Sequence, residues 1–385
     1  MKKEEVYLDY AAATPVDKRV LDAMLPYFRE KFYNPSSDYG PSREVRVAVA
    51  DARKTVAEAI GAKQTEIIFT AGGTEANNLA ILGIADRFPE GEILYSAIEH
   101  ESVLEPIKYL KTKGQRTRSI GVNEQGLVEA DRLADKITED TVLVSIMYAN
   151  NEVGTIQPIG KISQVVKAAR KDRQKRGNKT PLYLHTDACQ ATQYLDMHAS
   201  RLGVDMMSIN SGKIYGPKQI GAVYVKAGTK ISPIIHGGGQ ESGMRSGTEN
   251  VPAVVGFAEA IKLASNVKKD EVRRMKDLQQ DFCRQILSVK GAQINGSMKK
   301  RLPNNIHVTF PGIDNEKLLM QLDELGIYAS AGSACSAAKG QASQVLSAMG
   351  ISDREARSSV RFSLGRHTTV EDITRAARVV SKLVV

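Results

Sequence analysis

The chain has 385 residues, 42% hydrophobic and 25% charged, with a formal net charge of +9 at pH 7. That length exceeds the roughly 250–300 residues that one hydrophobic core serves, so two domains are expected, and the composition is that of a soluble globular protein. No stretch resembles a membrane span, and Val6-Tyr7-Leu8 reads as a strand so close to Met1 that a signal-peptide apolar core has no room, which points to the cytoplasm. Three cysteines, Cys189, Cys283 and Cys335, are too few and too scattered for a disulfide framework or a CxxC metal site, and no metal is expected.

Positive charge is densest from Lys167 to Lys179, a run of helical character with no aromatic residue for a base to stack on. A solvated helix face is expected there, one that would steer acidic partners or RNA, and direct nucleic-acid binding is not expected.

In chain order, Val16–Phe32 and Ser42–Ile60 read as amphipathic helices around an Asn34–Pro41 loop. Strand-like runs follow at 66–70, 92–96, 142–147, 182–186, 206–209 and 222–225, mostly separated by helical stretches. That alternation predicts an α/β fold with a mostly parallel, doubly wound sheet, whose ligands gather at the carboxyl ends of the strands. A helix over about Val251–Lys290 then leads to a second α+β domain with strands at 306–310 and 327–329 and helices at 316–325, 342–349 and 370–383. The domain boundaries expected are 16–254 for the larger unit, and 1–15 with 255–385 for the smaller one.

The chemistry-bearing residues fall at the strand ends. Gly72-Gly73-Thr74 ends one strand before a helix, a place where backbone N–H groups and a hydroxyl can cradle a phosphate. His100 follows the strand ending at Ser96 and could stack on a flat cofactor or move protons. Asn150-Asn151 offers amide donors after the next strand. Asp187 stands at the end of 182–186, where a carboxylate could keep a pyridine nitrogen protonated. One strand later, Lys213 sits among small and polar residues, in a setting where an amine becomes a Schiff-base nucleophile. Taken singly, each has a plainer reading: a turn, a helix cap, a surface lysine. In that order they describe a pyridoxal phosphate site.

Beyond them lies the glycine-dense run His236 to Thr248, in which Arg245 and Thr248 suggest close approach to an anion. Cys335 stands in an almost side-chain-free stretch, Ala329 to Gly340, expected to be mobile and exposed, which favours a reactive thiol. Cys283 is expected to be inert core, and Cys189 to line the pocket without reacting. Arg361, on a short strand in Ser359–Ser363, could grip a substrate carboxylate through two parallel hydrogen bonds.

From Tyr7-Leu8-Asp9-Tyr10-Ala11-Ala12-Ala13-Thr14-Pro15 to Arg361-Phe362-Ser363-Leu364-Gly365-Arg366, the chain resembles the cysteine desulfurases, specifically the NifS/IscS-like group of fold-type I pyridoxal phosphate enzymes. The most specific markers are Gly237 to Thr248 and Ser330-Ala331-Gly332-Ser333-Ala334-Cys335. The resemblance implies that Lys213 holds pyridoxal 5'-phosphate and later acts as base, that His100 stacks on its ring, and that Asp187 pairs with the ring nitrogen. It implies further that Asn151 and Gln190 contact the ring hydroxyl region, that Gly73 and Thr74 bind the phosphate, and that Thr248 reaches the phosphate from a partner subunit of a homodimer. Arg361 with Asn151 would bind the L-cysteine substrate, and Cys335 would take its sulfur as a persulfide for an iron–sulfur scaffold or other acceptor protein, in cluster assembly or tRNA thiolation. Where the family usually carries a serine and a histidine before the lysine, this chain has Asn210 and Gly212, and Ser211 is expected to replace one phosphate-binding hydroxyl. A selenocysteine lyase, an aminotransferase of the same fold and a partner-activated sulfur-transfer module are the alternatives.

Overall fold

The computed structural model describes residues 5–332 and 343–384. The chain opens with a two-residue strand, β1 (Val6–Tyr7). A seven-stranded sheet follows, in the order β2 (Ile67–Thr70), β8 (Gly221–Val225), β7 (Met206–Asn210), β6 (Tyr183–Asp187), β5 (Thr141–Ser145), β3 (Glu92–Ser96) and β4 (Arg116–Ile120). The sheet is parallel except for β8, which runs antiparallel to both β2 and β7. The link from β7 to β8 explains the exception. Only a single 3₁₀ turn at Ser211–Lys213 and the Gly216-Pro217 bend lie between the strands, too little chain for a crossover.

The strand β4 was not anticipated. It pairs with β3 alone, and of its residues only Ile120 is buried. An edge strand has one open side, so Arg116, Thr117, Arg118 and Ser119 suit it while erasing the apolar run that marks a strand in sequence.

Helices α1 (Lys18–Met24) and α2 (Pro26–Arg29) replace the single helix expected over 16–32, because Pro26 brings no N–H to continue the first. In α3 (Gly40–Ala59), Val45, Val49, Ala52 and Val56 recur at helical spacing and form its buried stripe. Helices α4 (Gly73–Arg87), α5 (Glu101–Thr112), α6 (Ala130–Ala134), α7 (Ile159–Lys175) and α8 (Ala199–Leu202) connect the strands. The basic run lies on α7 and beyond, largely exposed, with one departure: Arg173 is buried, and its guanidinium donates to the carbonyls of Thr138, Thr141, Thr180 and Pro181.

Two cores meet along α9 (Val251–Ile286), a helix of 36 residues. Its first half, from Val251 to Ala264, packs into the larger core with Val45, Phe69 and Leu94. Its second half brings Met275, Leu278, Phe282 and Ile286 into the smaller one, with Ile306, Phe310, Phe362 and, from the N-terminus, Val6 and Leu8. In the smaller core β9 (Gln293–Ile294), β10 (Asn305–Thr309) and β12 (Ser359–Ser363) form an antiparallel sheet, and β1 pairs in parallel with β11 (Ile327–Tyr328). Helices α10 (Asn315–Glu324) and α13 (Val370–Leu383) cover it, while α11 (Gln344–Ala348) and α12 (Asp353–Ala356) send Val345, Leu346 and Ala356 back to the larger core.

Two ion pairs fix the glycine-rich loop. Arg53 donates to both oxygens of the buried Glu241, at 2.5 and 2.7 Å, and the Phe69 N–H donates to the same carboxylate at 2.8 Å. Arg245, expected near an anionic ligand, instead pairs with Glu75 in the first turn of α4 at 2.9 Å. A second buried carboxylate, Glu99, ties the end of β3 to the chain leaving β5: its Oε1 accepts from Ser96 Oγ at 2.6 Å and from the Met147 N–H at 2.7 Å. Burial pushes its pKa up to about 8, against the lowering effect of those two donors.

Replacing Arg53 with methionine should destabilise the protein by about 3 kcal/mol, because Glu241 would keep its charge in the interior without its cation; a urea midpoint close to the wild-type value would contradict this. For Glu99 the folded pKa lies above the unfolded one, so its contribution to stability is complete below about pH 4.5 and is lost as pH rises towards 8. Glu99→Gln, which cannot ionise, should therefore flatten the fall in urea midpoint between pH 5 and pH 8.5; an unchanged slope would refute the assignment.

Candidate active site

The carboxyl ends of β2, β3, β5, β6 and β7 open on one cavity of about 290 Å³, lined by residues from all five connections. The first wall is the start of α4. Gly72, at φ +131°, turns the chain out of β2, and the first amides of α4 face no intrahelical acceptor. Gly73 leaves this wall bare: a Cβ would lie 2.7 Å from Cys189 Sγ, so any side chain here would have to displace the thiol. Thr74 lines the cavity beside it.

Opposite stands a relay of polar side chains. Asp187, at the end of β6, accepts from Asn77 Nδ2 at 2.7 Å through one oxygen and from the Cys189 N–H at 2.9 Å through the other. Asn77 Nδ2 also donates to Ser102 Oγ at 2.8 Å, and Ser102 Oγ lies 2.8 Å from His100 Nδ1. The Ser102 N–H donates to that same Nδ1 at 3.1 Å, with His100 as the N-cap of α5. A ring nitrogen that accepts a backbone N–H carries no proton, so the proton of neutral His100 is on Nε2. Burial favours this neutral form by lowering the imidazole pKa. Two residues before Asp187, His185 is buried between Ser145 Oγ and Ser208 Oγ, and burial holds it near 4.

Lys213 enters from the 3₁₀ turn after β7. Asn210 caps that turn by accepting the Gly212 N–H at 2.9 Å, and Asn210 lines the cavity too. Lys213 Nζ donates to the carbonyls of Ala11 and Ala12 at 2.8 and 2.5 Å, and Gln190 Nε2 donates to Ala11 at 2.9 Å. Burial lowers the amine's pKa, and the Arg361 charge adds to the effect.

Arg361, on β12, is 2% exposed and closes the far side of the cavity. Its Nη2 meets Asp9 Oδ1 at 2.6 Å and its Nη1 donates to the Asn151 carbonyl at 2.9 Å. Its Nε is buried with no partner among the described residues. The Arg361 main chain is bridged to Ser330, which leads towards Cys335.

Of the expected site residues, Gly73, Thr74, His100, Asn151, Asp187, Gln190, Asn210, Lys213 and Arg361 all line this cavity. Ser211 is not among the lining residues; its Oγ is buried, has no partner among the described residues and packs against Gly216, where a Cβ would lie 2.0 Å away. Thr248 is exposed, away from this chain's own cavity. Cys335 lies outside the described residues. Cys189 lines the cavity, with burial pushing its thiol pKa well up, and Cys283 belongs to the smaller core. Asn77, Ser102 and Asp9 lie in or beside the runs that the sequence singles out, but no role was expected of them; each takes one through a contact distant in sequence.

Comparison with known proteins gives a consistent result. The aminotransferase class-V family matches residues 6–376. A cysteine desulfurase IscS from Dictyoglomus turgidum is 43% identical over 385 residues, spanning 99% of this chain and 95% of the relative. A solved NifS-like protein superposes with a TM-score of 0.90 at 36% identity, covering 98% of this chain and 99% of its own. A structure described as SspA in complex with cysteine follows at a TM-score of 0.81 and 35% identity, covering 94% of this chain and 100% of its own. The chain thus belongs to the class-V aminotransferase family and, within it, to the NifS/IscS-like cysteine desulfurases of the pyridoxal phosphate-dependent fold.

Proposed function

We propose that the protein converts L-cysteine to L-alanine and takes the sulfur onto Cys335 as a persulfide, for delivery to iron–sulfur cluster assembly or tRNA thiolation. The observation that carries this reading is the convergence on one cavity of an amine with a lowered pKa, Lys213, a strand-end carboxylate, Asp187, and a buried guanidinium, Arg361.

The residues present fit pyridoxal 5'-phosphate. The α4 amides at Gly73 and Thr74 suit its phosphate, in a cradle that any side chain at position 73 would fill. Asn210 borders the same cradle, its Nδ2 lying 3.4 Å from the point a Gly73 Cβ would occupy. Asp187 suits a protonated ring nitrogen, His100 a ring face, and Asn151 with Gln190 the ring hydroxyl. When bound, the cofactor supplies an electron sink for bonds next to an amino group.

The chain's own residues do the rest. Arg361 binds the substrate carboxylate, with its orientation set by Asp9 and the Asn151 carbonyl. Lys213 would hold the cofactor through its amine and moves a proton from the substrate α-carbon, for which a lowered pKa equips it. The Cys335 thiolate attacks the substrate sulfur. The electrons of the C–S bond stay with carbon, which gains a proton to become the alanine methyl group, and the sulfur leaves as the outer atom of the persulfide. No external oxidant or reductant is required.

A homodimer belongs to the same reading. Leu25, Phe28, Phe32, Tyr39 and Val47 are large apolar residues left exposed on this chain, and Thr248 is free to reach a neighbour's cavity. Acceptor proteins and a cytoplasmic setting complete the proposal; among the described residues no helix is long and apolar enough to cross a membrane.

Brief incubation of cofactor-loaded protein with L-cysteine and no reductant should add one sulfur to Cys335 and release alanine, read by intact mass and peptide mapping. Lys213→Ala should abolish both. An unmodified Cys335 in wild type would refute the stand-alone desulfurase and favour the partner-activated alternative. Arg361→Lys, which loses the planar fork, should raise the KM for L-cysteine roughly tenfold or more, the factor expected for a lost charge-assisted hydrogen bond. An unchanged KM would take the carboxylate away from Arg361.

A further inference from the structure

Asn77, Ser102, His100 and Asp187 meet in the cavity wall from different elements, and the chemistry of each group gives their contacts a direction. Asn77 is fully buried on α4, one helical turn beyond Gly73, and Ser102 is buried in the first turn of α5. A carboxylate only accepts hydrogen bonds, so the 2.7 Å contact between Asn77 and Asp187 Oδ2 has the amide nitrogen as its donor. That fixes which way the amide faces. Turning it over would set Oδ1 against the carboxylate, and the orientation stands although Oδ1 itself is buried with no partner among the described residues.

The amide nitrogen has a second N–H and nothing with which to accept, and its second contact is Ser102 Oγ at 2.8 Å. The serine oxygen therefore accepts from Asn77, and its own proton goes to its other neighbour, His100 Nδ1, at 2.8 Å. The Ser102 backbone N–H, which can only donate, reaches the same Nδ1 at 3.1 Å. Two separate routes, one through side chains from Asp187 and one through the main chain, thus give the same state of His100.

We propose that Asn77 and Ser102 are positioning residues that make the two groups serving the cofactor ring act as one. A directed hydrogen-bond chain runs from Asn77 to Asp187 on one side and through Ser102 to His100 on the other, holding the carboxylate for the ring nitrogen and the imidazole as its Nε2–H tautomer. This rests on the cofactor reading above. With Nδ1 occupied twice, the one ring hydrogen that neutral His100 has to offer is on Nε2, so in the cavity it donates and does not accept. Helix α4 then serves the cofactor twice, through its first amides at the phosphate and, a turn later, through Asn77 at the ring.

The test uses protein isotope-labelled at the ring nitrogens of its six histidines, studied by nitrogen NMR both loaded with pyridoxal 5'-phosphate and free of it. The His100 signals are assigned by their loss in His100→Gln. Wild type should show a neutral His100 with its proton on Nε2 and a hydrogen-bonded Nδ1. Ser102→Ala should move the Nδ1 resonance towards that of a nitrogen without hydrogen bonds. Asn77→Leu removes no group that touches His100, yet it should move the same resonance in the same direction, because a serine no longer held as an acceptor is no longer committed as a donor. The double variant should add nothing beyond Ser102→Ala. His185, buried between Ser145 and Ser208, should keep its signals throughout and so report an intact fold.

In the loaded enzyme Ser102→Ala should lower kcat roughly three- to tenfold, the worth of one hydrogen bond, with the KM for L-cysteine within about twofold of wild type. A proton on Nδ1 in wild type, an Nδ1 resonance that Asn77→Leu leaves in place, shifts that simply add in the double variant, or KM rising in step with the loss of kcat would each overturn the proposal. Should Asn77→Leu disturb His185, the wild-type tautomer and Ser102→Ala decide the matter. If wild type takes up no cofactor, the cofactor reading falls by itself, and the spectra of the free protein still uphold or overturn the chain.

Discussion

The cavity depends on a few main-chain groups near the N-terminus. The carbonyls of Ala11 and Ala12 receive the Lys213 amine and the Gln190 amide, Thr14 Oγ1 donates to the Gly212 carbonyl at 3.1 Å and accepts the Tyr215 N–H at 2.9 Å, and Asp9 holds Arg361. The segment 9–14 is thus a strap laid across the mouth of the β7 turn, its earlier end in the smaller core and its later end on the larger. Lysine and arginine come from opposite cores, and this strap sets their spacing.

The electrostatics follow from the same geometry. Two basic side chains, Lys213 and Arg361, share a small cavity with the carboxylate of Asp187, and Arg361 is paired with Asp9 on the strap. Burial lowers the lysine pKa and the Arg361 charge adds to the effect, while Asp9 pairs with the guanidinium at 2.6 Å. One fold therefore carries two basic side chains into one pocket and gives them different roles, an amine able to lose its proton and a guanidinium that holds it.

Much of this was legible in the sequence, and the exceptions have physical causes. Strand-end motifs announce themselves because a parallel sheet delivers every such loop to one edge, so Gly73, His100, Asp187 and Lys213 could be placed together without coordinates. Asn77 and Ser102 escaped because their role is a contact across 25 and 110 positions, made from helices that look ordinary. Asp9 escaped because its partner is 352 residues away. Ser211 shows a local effect that spacing does not reveal: a one-residue step in a 3₁₀ turn rotates a side chain away from its neighbours' face, so Asn210 and Lys213 line the cavity while the Ser211 hydroxyl is buried in the protein. The strand β4 was missed because an edge needs no apolar alternation.

The close fit of Gly73 against Cys189 couples what the two positions can become. With Cys189 Sγ 2.7 Å from the place where a side chain at 73 would begin, a substitution at 73 has to turn the thiol aside, whereas Cys189→Ala only opens space. The effects of the two substitutions are therefore expected to be non-additive, with Cys189→Ala easing growth at 73. Such growth would still fill the start of α4, so the bare backbone there answers to the cavity as well as to the thiol.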